Sequence, residues 1–162
     1  MKMSEGVEWT AHACALLAAL PEGVGLPANA LAEFHELAPA YMAKHLQALA
    51  RAGVVESVRG PRGGYRLARP ASEISLWDVL EAIEGQETAF RCTEIRQQGP
   101  CPGAQSDYRR PCEIHAAFNK AELAWRAELK SISLADIASD VARKATPQKR
   151  ATVTQWLRDK LG

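Results

Sequence analysis

The first third of the chain carries three stretches in which apolar residues recur every three or four positions. These stretches cover residues 7–20, 28–37 and 39–52, and each ends within two residues of a proline or glycine. That spacing places the apolar side chains on one face of a helix. The pattern therefore predicts three short helices joined by tight turns, the third of which buries Met42, Leu46 and Leu49.

Two short strand-like runs follow, at residues 54–58 and 64–68. The five residues between them, 59–63, read Arg-Gly-Pro-Arg-Gly, a composition typical of a hairpin turn. Three helices followed by a two-stranded ribbon with arginines at its tip form the pattern of a winged helix-turn-helix. We therefore predict a fold that is mainly α with a small β-wing, and we assign residues 1–85 to a DNA-binding domain.

Downstream of the wing, Ser75 is predicted to cap a helix that ends near Gly85, with Asp78 completing a capping box. Residues 86–111 lose all periodicity and contain several prolines and glycines, so we expect a loop. Residues 135–162 form a helical tail whose last amphipathic helix follows Pro147.

Residues 112–134 predict a long helix whose apolar positions repeat at an average of 3.6 residues. These positions are Ile114, Phe118, Ala121, Trp125, Leu129 and Ile132. A single small domain offers little surface against which such a stripe could be buried. We therefore expect a dimerisation helix that pairs with a second copy of the chain, although packing within one chain is the alternative.

Composition narrows the class of protein. The 162 residues are 47% hydrophobic, and no run approaches the roughly 20 apolar residues of a membrane span. We expect a cytoplasmic protein without a membrane partner, in which four cysteines serve more readily as metal ligands or redox thiols than as structural bridges. No phosphate-binding loop or hydrolase triad is evident, so the sequence predicts a protein that is not an enzyme.

Charge is distributed unevenly although the net charge is only +1. Residues 41–70 hold six basic residues against one acidic residue, and residues 71–94 hold six acidic residues against one basic residue. The basic segment includes the predicted third helix and the wing, which could face the phosphates and base edges of double-stranded DNA. On the side of that helix away from its apolar face lie Ala40, Tyr41, Ala43, Lys44 and Gln47.

The segment from residue 41 to residue 85 reads YMAKHLQALARAGVVESVRGPRGGYRLARPASEISLWDVLEAIEG. It resembles the Rrf2 family of winged-helix transcription regulators, and the resemblance extends over roughly residues 7–135. The resemblance implies a homodimer with crossed long helices and a 2Fe–2S cluster in a loop with three cysteines. The family's DNA-facing positions correspond here to Pro39, Ala40, Tyr41, Ala43, Lys44, Arg59 and Arg62. The cysteines are spaced more widely than is usual, which indicates the redox-responsive branch of the family.

A 2Fe–2S cluster needs four ligands, which are mostly thiolates. Glu8 and His12 lie four residues apart on the first predicted helix, so their side chains project from one face. In the family this helix of the partner subunit often supplies a ligand. We therefore expect Glu8 and His12 of one protomer to join two cysteines of the other. Cys101 and Cys112 are the preferred pair because each follows a proline and Cys112 begins a helix; Cys92 is the alternative, and His115 ranks lower.

The resulting hypothesis is a homodimeric regulator whose affinity for a palindromic operator is switched by the redox state or presence of the cluster. We expect oxidised protein to bind more tightly than reduced or cluster-free protein, with Trp9 as a possible switch residue. Two alternatives lack iron. One is a zinc-binding adaptor that uses Cys92, Cys101, Cys112 and His115, and the other is a regulator whose thiols form disulfides.

Overall fold

The computed structural model describes residues 3–60 and 63–161, which form seven α-helices, one hairpin and three short 3-10 helices, Ala71–Glu73, Ile95–Gln97 and Gln105–Tyr108. The helices are α1 (Glu5–Ala18), α2 (Ala28–Phe34), α3 (Pro39–Arg51), α4 (Leu76–Glu84), α5 (Glu113–Ser131), α6 (Leu134–Lys144) and α7 (Pro147–Leu161). The strands β1 (Val55–Val58) and β2 (Gly64–Leu67) pair antiparallel, with Val55 opposite Leu67. The prediction of a mainly helical winged helix-turn-helix is confirmed.

The core lies where α1, α2, α3 and β1 meet, and it explains why the first three predicted helices form. Met42, Leu46 and Leu49 of α3 are fully buried, as their spacing predicts. Leu134, at the start of α6, is also fully buried in this core. The carboxyl-terminal half of the chain is therefore attached to the helix-turn-helix through α6.

The wing is fixed to the chain just before α2. Leu26 and Tyr65 exchange two backbone hydrogen bonds, with N–O distances of 2.9 and 2.8 Å. Gly64 allows this approach, since a Cβ there would lie 2.3 Å from the backbone of Leu26 and its φ is +141°. The hairpin is therefore held against the segment that leads into α2.

The predicted helix over residues 112–134 is wrong in its extent. α5 ends at Ser131, and α6 begins after Ser133, whose hydroxyl accepts a hydrogen bond from the backbone N–H of Asp136 while the Asp136 carboxylate accepts in return. This capping box starts a new helix and interrupts the predicted stripe at Ile132. The tail at residues 135–162 thus contains most of α6 as well as α7. The sequence signal was the Ser-x-x-Asp spacing.

The capping box at α4 is confirmed, and it yields a stability prediction. The Ser75 hydroxyl accepts from the backbone N–H of Asp78 at 3.2 Å, and the Ser75 N–H donates to the Asp78 carboxylate at 2.7 Å. Ser75→Ala should lower the free energy of unfolding by about 1 kcal/mol in urea denaturation. Ser72→Ala is the matched control, because Ser72 is exposed in the turn before α4. Equal effects of the two substitutions would contradict the capping role.

No helix among the described residues is long and apolar enough to cross a membrane.

Candidate DNA interface and metal-ligand site

The side chains predicted to face DNA lie mostly on the exposed surface of α3. Pro39 begins this helix, and Ala40, Lys44 and Gln47 are exposed beyond it. Tyr41 keeps 58% of its surface, which is high for a large aromatic side chain. Ala43 is half-buried. Because the opposite face of α3 is sealed in the core, this exposed face is the one that the helix can present to a partner.

The wing contributes a second exposed cation. Arg59 follows β1 and is exposed, whereas Arg62 lies outside the described residues. Arg66 of β2 instead pairs with Glu56 of β1, with a nitrogen–oxygen distance of 2.6 Å. Arg66 is thus committed within the hairpin, and Arg59 is the described wing arginine available for DNA.

Trp9 connects α1 to α3. Its ring packs edge-on against Tyr41 and His45, with centroid distances of 6.1 and 5.9 Å. Gly6, one turn earlier, lets the His45 ring approach α1, since a Cβ at this position would lie 2.5 Å from that ring. Burial, and then the neighbouring Lys44 charge, lower the pKa of His45. Trp9 is therefore in direct contact with α3, including Tyr41 on the exposed face of that helix.

Two thiols and one carboxylate meet where the 86–111 loop reaches α5. The ligand atoms of Cys92, Glu94 and Cys112 all lie within 4.8 Å of one another. The Cys92 thiol donates a hydrogen bond of 3.2 Å to the Glu94 carboxylate. Thiolates and carboxylates are donors for iron and zinc, so this group is suited to holding a metal centre.

The backbone of the loop turns Glu94 toward the thiols. Glu94 has a φ of +49°, a left-handed conformation that non-glycine residues rarely adopt. Its carboxylate is held by Arg96 at 2.8 Å, and the Arg96 guanidinium also stacks over the Tyr108 ring, 5.5 Å from its centroid. Hydrogen bonding to Arg96, and then to Cys92, lowers the pKa of Glu94. Arg96 therefore keeps this carboxylate charged and fixed beside the thiols.

Cys112 occupies the N-cap position of α5, as the sequence predicts. Its sulfur accepts a hydrogen bond of 3.2 Å from the backbone N–H of His115, and the side chain is buried. A helix amino terminus favours a negatively charged sulfur. The Cys112 sulfur is thus fixed at the amino terminus of α5, beside Cys92.

The metal-free Cys92 thiol favours its protonated form. A hydrogen bond with the Glu94 backbone lowers its pKa, but the Glu94 side chain, desolvation and the neighbouring Cys112 together raise the pKa above the usual value. Metal binding at the Cys92 sulfur would therefore release a proton.

The other two cysteines stand apart from this group. Cys101, which belonged to the preferred ligand pair, is exposed and is absent from the group, whereas the alternative, Cys92, is in it. Cys14 is fully buried, and burial raises the pKa of its thiol to about 12. Cys14 is therefore a small core residue, as expected for its position in α1.

Glu8 and His12 are exposed on α1, on the rim of a depression of about 270 Å³. The depression is lined by Glu8, Trp9, His12, His35 and Leu37. The rings of His12 and His35 lie 5.7 Å apart, and the Nε2 atom of His35 is buried without a hydrogen-bond partner among the described residues. Within one chain, Glu8 and His12 do not join the group formed by Cys92, Glu94 and Cys112.

The first half of the α5 stripe is only partly covered by the described residues: Phe90 stacks on Phe118 at a centroid distance of 4.5 Å. Ile114 and Phe118 remain 63% and 53% exposed, and Leu123 on the opposite side of the helix is 58% exposed. Farther along, Trp125 packs edge-on against Trp77 of α4, with centroids 5.8 Å apart. The first half of α5 is thus left with apolar surface available to a partner.

Sequence analysis missed two residues of these sites. Glu94 was not singled out because a left-handed residue in a loop leaves no periodic signal. His35 was not among the predicted site residues, but its half-buried ring lies near His12 and its Nε2 atom has no hydrogen-bond partner among the described residues. The contacts of Glu94 with the two thiols and of His35 with His12 join residues whose spacing along the sequence follows no regular pattern.

The exposed face of α3 beside a β-wing, together with a cluster of metal-ligand side chains, defines a winged-helix DNA-binding transcription regulator. The Rrf2 family model, described as an iron-dependent transcriptional regulator, matches residues 3–140. The chain belongs to the Rrf2 family, and the resemblance seen in its sequence is confirmed.

Relatives and solved structures agree with this assignment. The chain is 31% identical over 140 residues to YffB of Lactococcus lactis, which is named as a transcriptional regulator of the helix-turn-helix type; the match covers 86% of this chain and 88% of YffB. It shares its fold with CymR, the global cysteine regulator of B. subtilis, at a TM-score of 0.66 and 22% identity over 86% of this chain and 97% of CymR. It also shares its fold with IscR of T. potens, at a TM-score of 0.67 and 24% identity over 91% of this chain and 95% of that one.

Proposed function

We propose that this Rrf2-family regulator acts as a homodimer on a palindromic operator and that a bound 2Fe–2S cluster sets its affinity for DNA. Cys92 and Cys112 of one protomer hold the cluster together with Glu8 and His12 of the other. The observation that carries the proposal is the meeting of Cys92 and Cys112 at the start of α5. The proline before each of them favoured Cys101 and Cys112 in the sequence, whereas the proximity of Cys92 to Cys112 favours Cys92.

The donor set fits such a cluster. Two thiols supply half of the four ligands that a 2Fe–2S unit takes. Glu8 and His12, four residues apart and exposed on α1, present a carboxylate and an imidazole to a neighbouring molecule. The cluster would supply a one-electron redox couple, whose potential is raised when histidine replaces thiolate.

The route from the cluster ligands to DNA passes through Trp9. Trp9 lies between Glu8 and His12 along α1 and touches Tyr41 and His45 of α3. A shift of the cluster ligands Glu8 and His12 would therefore move the Trp9 ring, which packs against α3. To switch operator occupancy, the oxidised and reduced forms of the protein must differ in DNA-binding free energy by a few kcal/mol.

A decisive experiment combines colour with DNA binding. We expect protein purified without oxygen to absorb visible light, to bleach partly with dithionite, and to lose at least about tenfold in affinity for a duplex selected by the oxidised protein. Trp9→Phe should reduce the ratio between the DNA affinities of oxidised and reduced protein while the visible absorption stays the same. Equal affinities of oxidised and reduced wild-type protein would reject the redox switch.

The same two thiols support a second candidate function. Cys92 and Cys112 are close enough that a small movement could join them in a disulfide, with the loss of two electrons and two protons to an external oxidant. Such a regulator needs no metal and has no visible colour in either redox state. Iron analysis separates the readings, because the disulfide form would be colourless and iron-free yet still lose two titratable thiols on oxidation.

A further inference from the structure

We propose that the carboxyl-terminal helix α7 positions the candidate ligand His12 through a row of four aromatic rings. The row runs from Trp156 on α7 through Phe34 and His35 at the end of α2 to His12 on α1. This inference rests on the proposed function, since it concerns the α1 half of the cluster site. It assigns a role to a helix that lies beyond residues 3–140, the span that the family model matches.

α7 is attached to α2 by specific contacts. The Trp156 ring packs edge-on against Phe34, with centroids 4.8 Å apart, and its indole N–H donates to the Glu33 carboxylate at 3.4 Å. Lys160 forms an ion pair with the same carboxylate at 2.7 Å, and this contact lowers the pKa of Glu33. Leu157 packs against the core beside them. The second half of α7 is therefore docked, whereas residues 147–152 at its start are exposed.

The contact continues from α2 to α1. Phe34 packs edge-on against His35 at 4.9 Å, and His35 lies 5.7 Å from His12 between ring centroids. The depression beside Glu8 and His12 has His35 in its wall. Each ring in the row thus has the next as a neighbour, from the tail of the chain to the candidate ligand.

Packing determines the position of His35. Its Nε2 atom is buried and has no hydrogen-bond partner among the described residues, so the position of the ring depends on its packing against Phe34 and His12. If α7 leaves, Phe34 loses its cover and His35 gains freedom to turn. His12 would then lose the neighbour that limits its own rotation. A ligand that must be oriented at the moment of binding holds its metal less tightly.

Trp156→Ala removes the first ring of the row and tests the proposal. Loss of a residue that supports a metal ligand weakens metal binding by 10- to 100-fold in known sites, and for a residue acting at this distance we expect the lower end, about tenfold faster loss of the visible absorption under chelator. The visible circular dichroism of the iron-loaded protein should also change, because it reports the geometry around the cluster. Trp156→Phe should restore both readouts.

Two further variants complete the design. Thr154→Ala is the control, since Thr154 is exposed on the same helix. Phe34→Leu breaks the row at the second ring while it keeps apolar bulk, and it should change the dichroism even if Trp156→Ala fails to fold. The inference would be overturned if Phe34→Leu and Trp156→Ala had the same dichroism and cluster lifetime as Thr154→Ala. That result would leave the proposed function intact. A wild-type protein without iron would instead overturn the proposed function itself.

Discussion

Cys112→Ser is expected to abolish the visible absorption and the bound iron of protein purified without oxygen. The thiolate at this position is buried at the amino terminus of α5 and close to Cys92, and a serine hydroxyl is a poor ligand for iron. Serine is also a preferred N-cap residue, so the hydrogen bond to the His115 N–H and the helix itself should survive. Loss of iron with unchanged helical content would then report ligation and not unfolding.

The other loop cysteines provide the matched comparison. Cys92→Ser should bleach the protein as Cys112→Ser does, whereas Cys101→Ser should keep its spectrum, because Cys101 is exposed and outside the thiol group. Iron content, visible absorption and circular dichroism of the three variants give the answer. A colourless Cys101→Ser beside a coloured Cys92→Ser would return the assignment to Cys101 and Cys112, the pair expected from the sequence.

The second large effect is expected on dimerisation through α5. The double variant Ile114→Glu/Leu123→Glu places a charge on each of two opposite exposed faces of α5, so an interface centred on this helix must bury at least one of them. We expect monomers in analytical ultracentrifugation. Operator affinity should fall by on the order of 100-fold, because each half-site would be bound separately.

This variant has an internal control. Val141 of α6 is 58% exposed, the same fraction as Leu123, and Val141→Glu should leave the dimer and the DNA affinity unchanged. Substitutions at such exposed positions usually alter folding stability by less than about 0.5 kcal/mol, so both proteins should fold. A double variant that remains dimeric would exclude α5 as the centre of the interface.

The features that could be predicted from the sequence are those governed by local rules. The burial of Leu46 follows from helical periodicity, the start of α4 from the Ser75 capping box, and the start of α5 at Cys112 from the apolar stripe that follows it. Each of these signals lies within a few residues of the feature that it predicts. They were sufficient to predict the winged helix-turn-helix and the exposed face of α3.

The features that could not be predicted depend on contacts between distant residues or on irregular backbone. The proximity of Cys92 to Cys112 depends on a left-handed Glu94 held by Arg96, and no periodic pattern encodes that turn. The contact between Trp156 and Glu33 joins residues that are 123 positions apart. The apolar spacing of the long stripe continued past Ser131, so only the competing capping box showed where α5 ends.

The two backbone bonds that fasten the hairpin to the segment before α2 have a consequence for how a signal could be read. They fasten the wing to the helix-turn-helix, so we expect the wing and α3 to move together and the contacts of each unit with its half-site to change little. In a two-headed protein on a palindrome, half-sites lie about one turn of the double helix apart, roughly 34 Å. We therefore expect a change in oxidation state to alter the distance between the two DNA-binding units of the dimer, with little change within each unit.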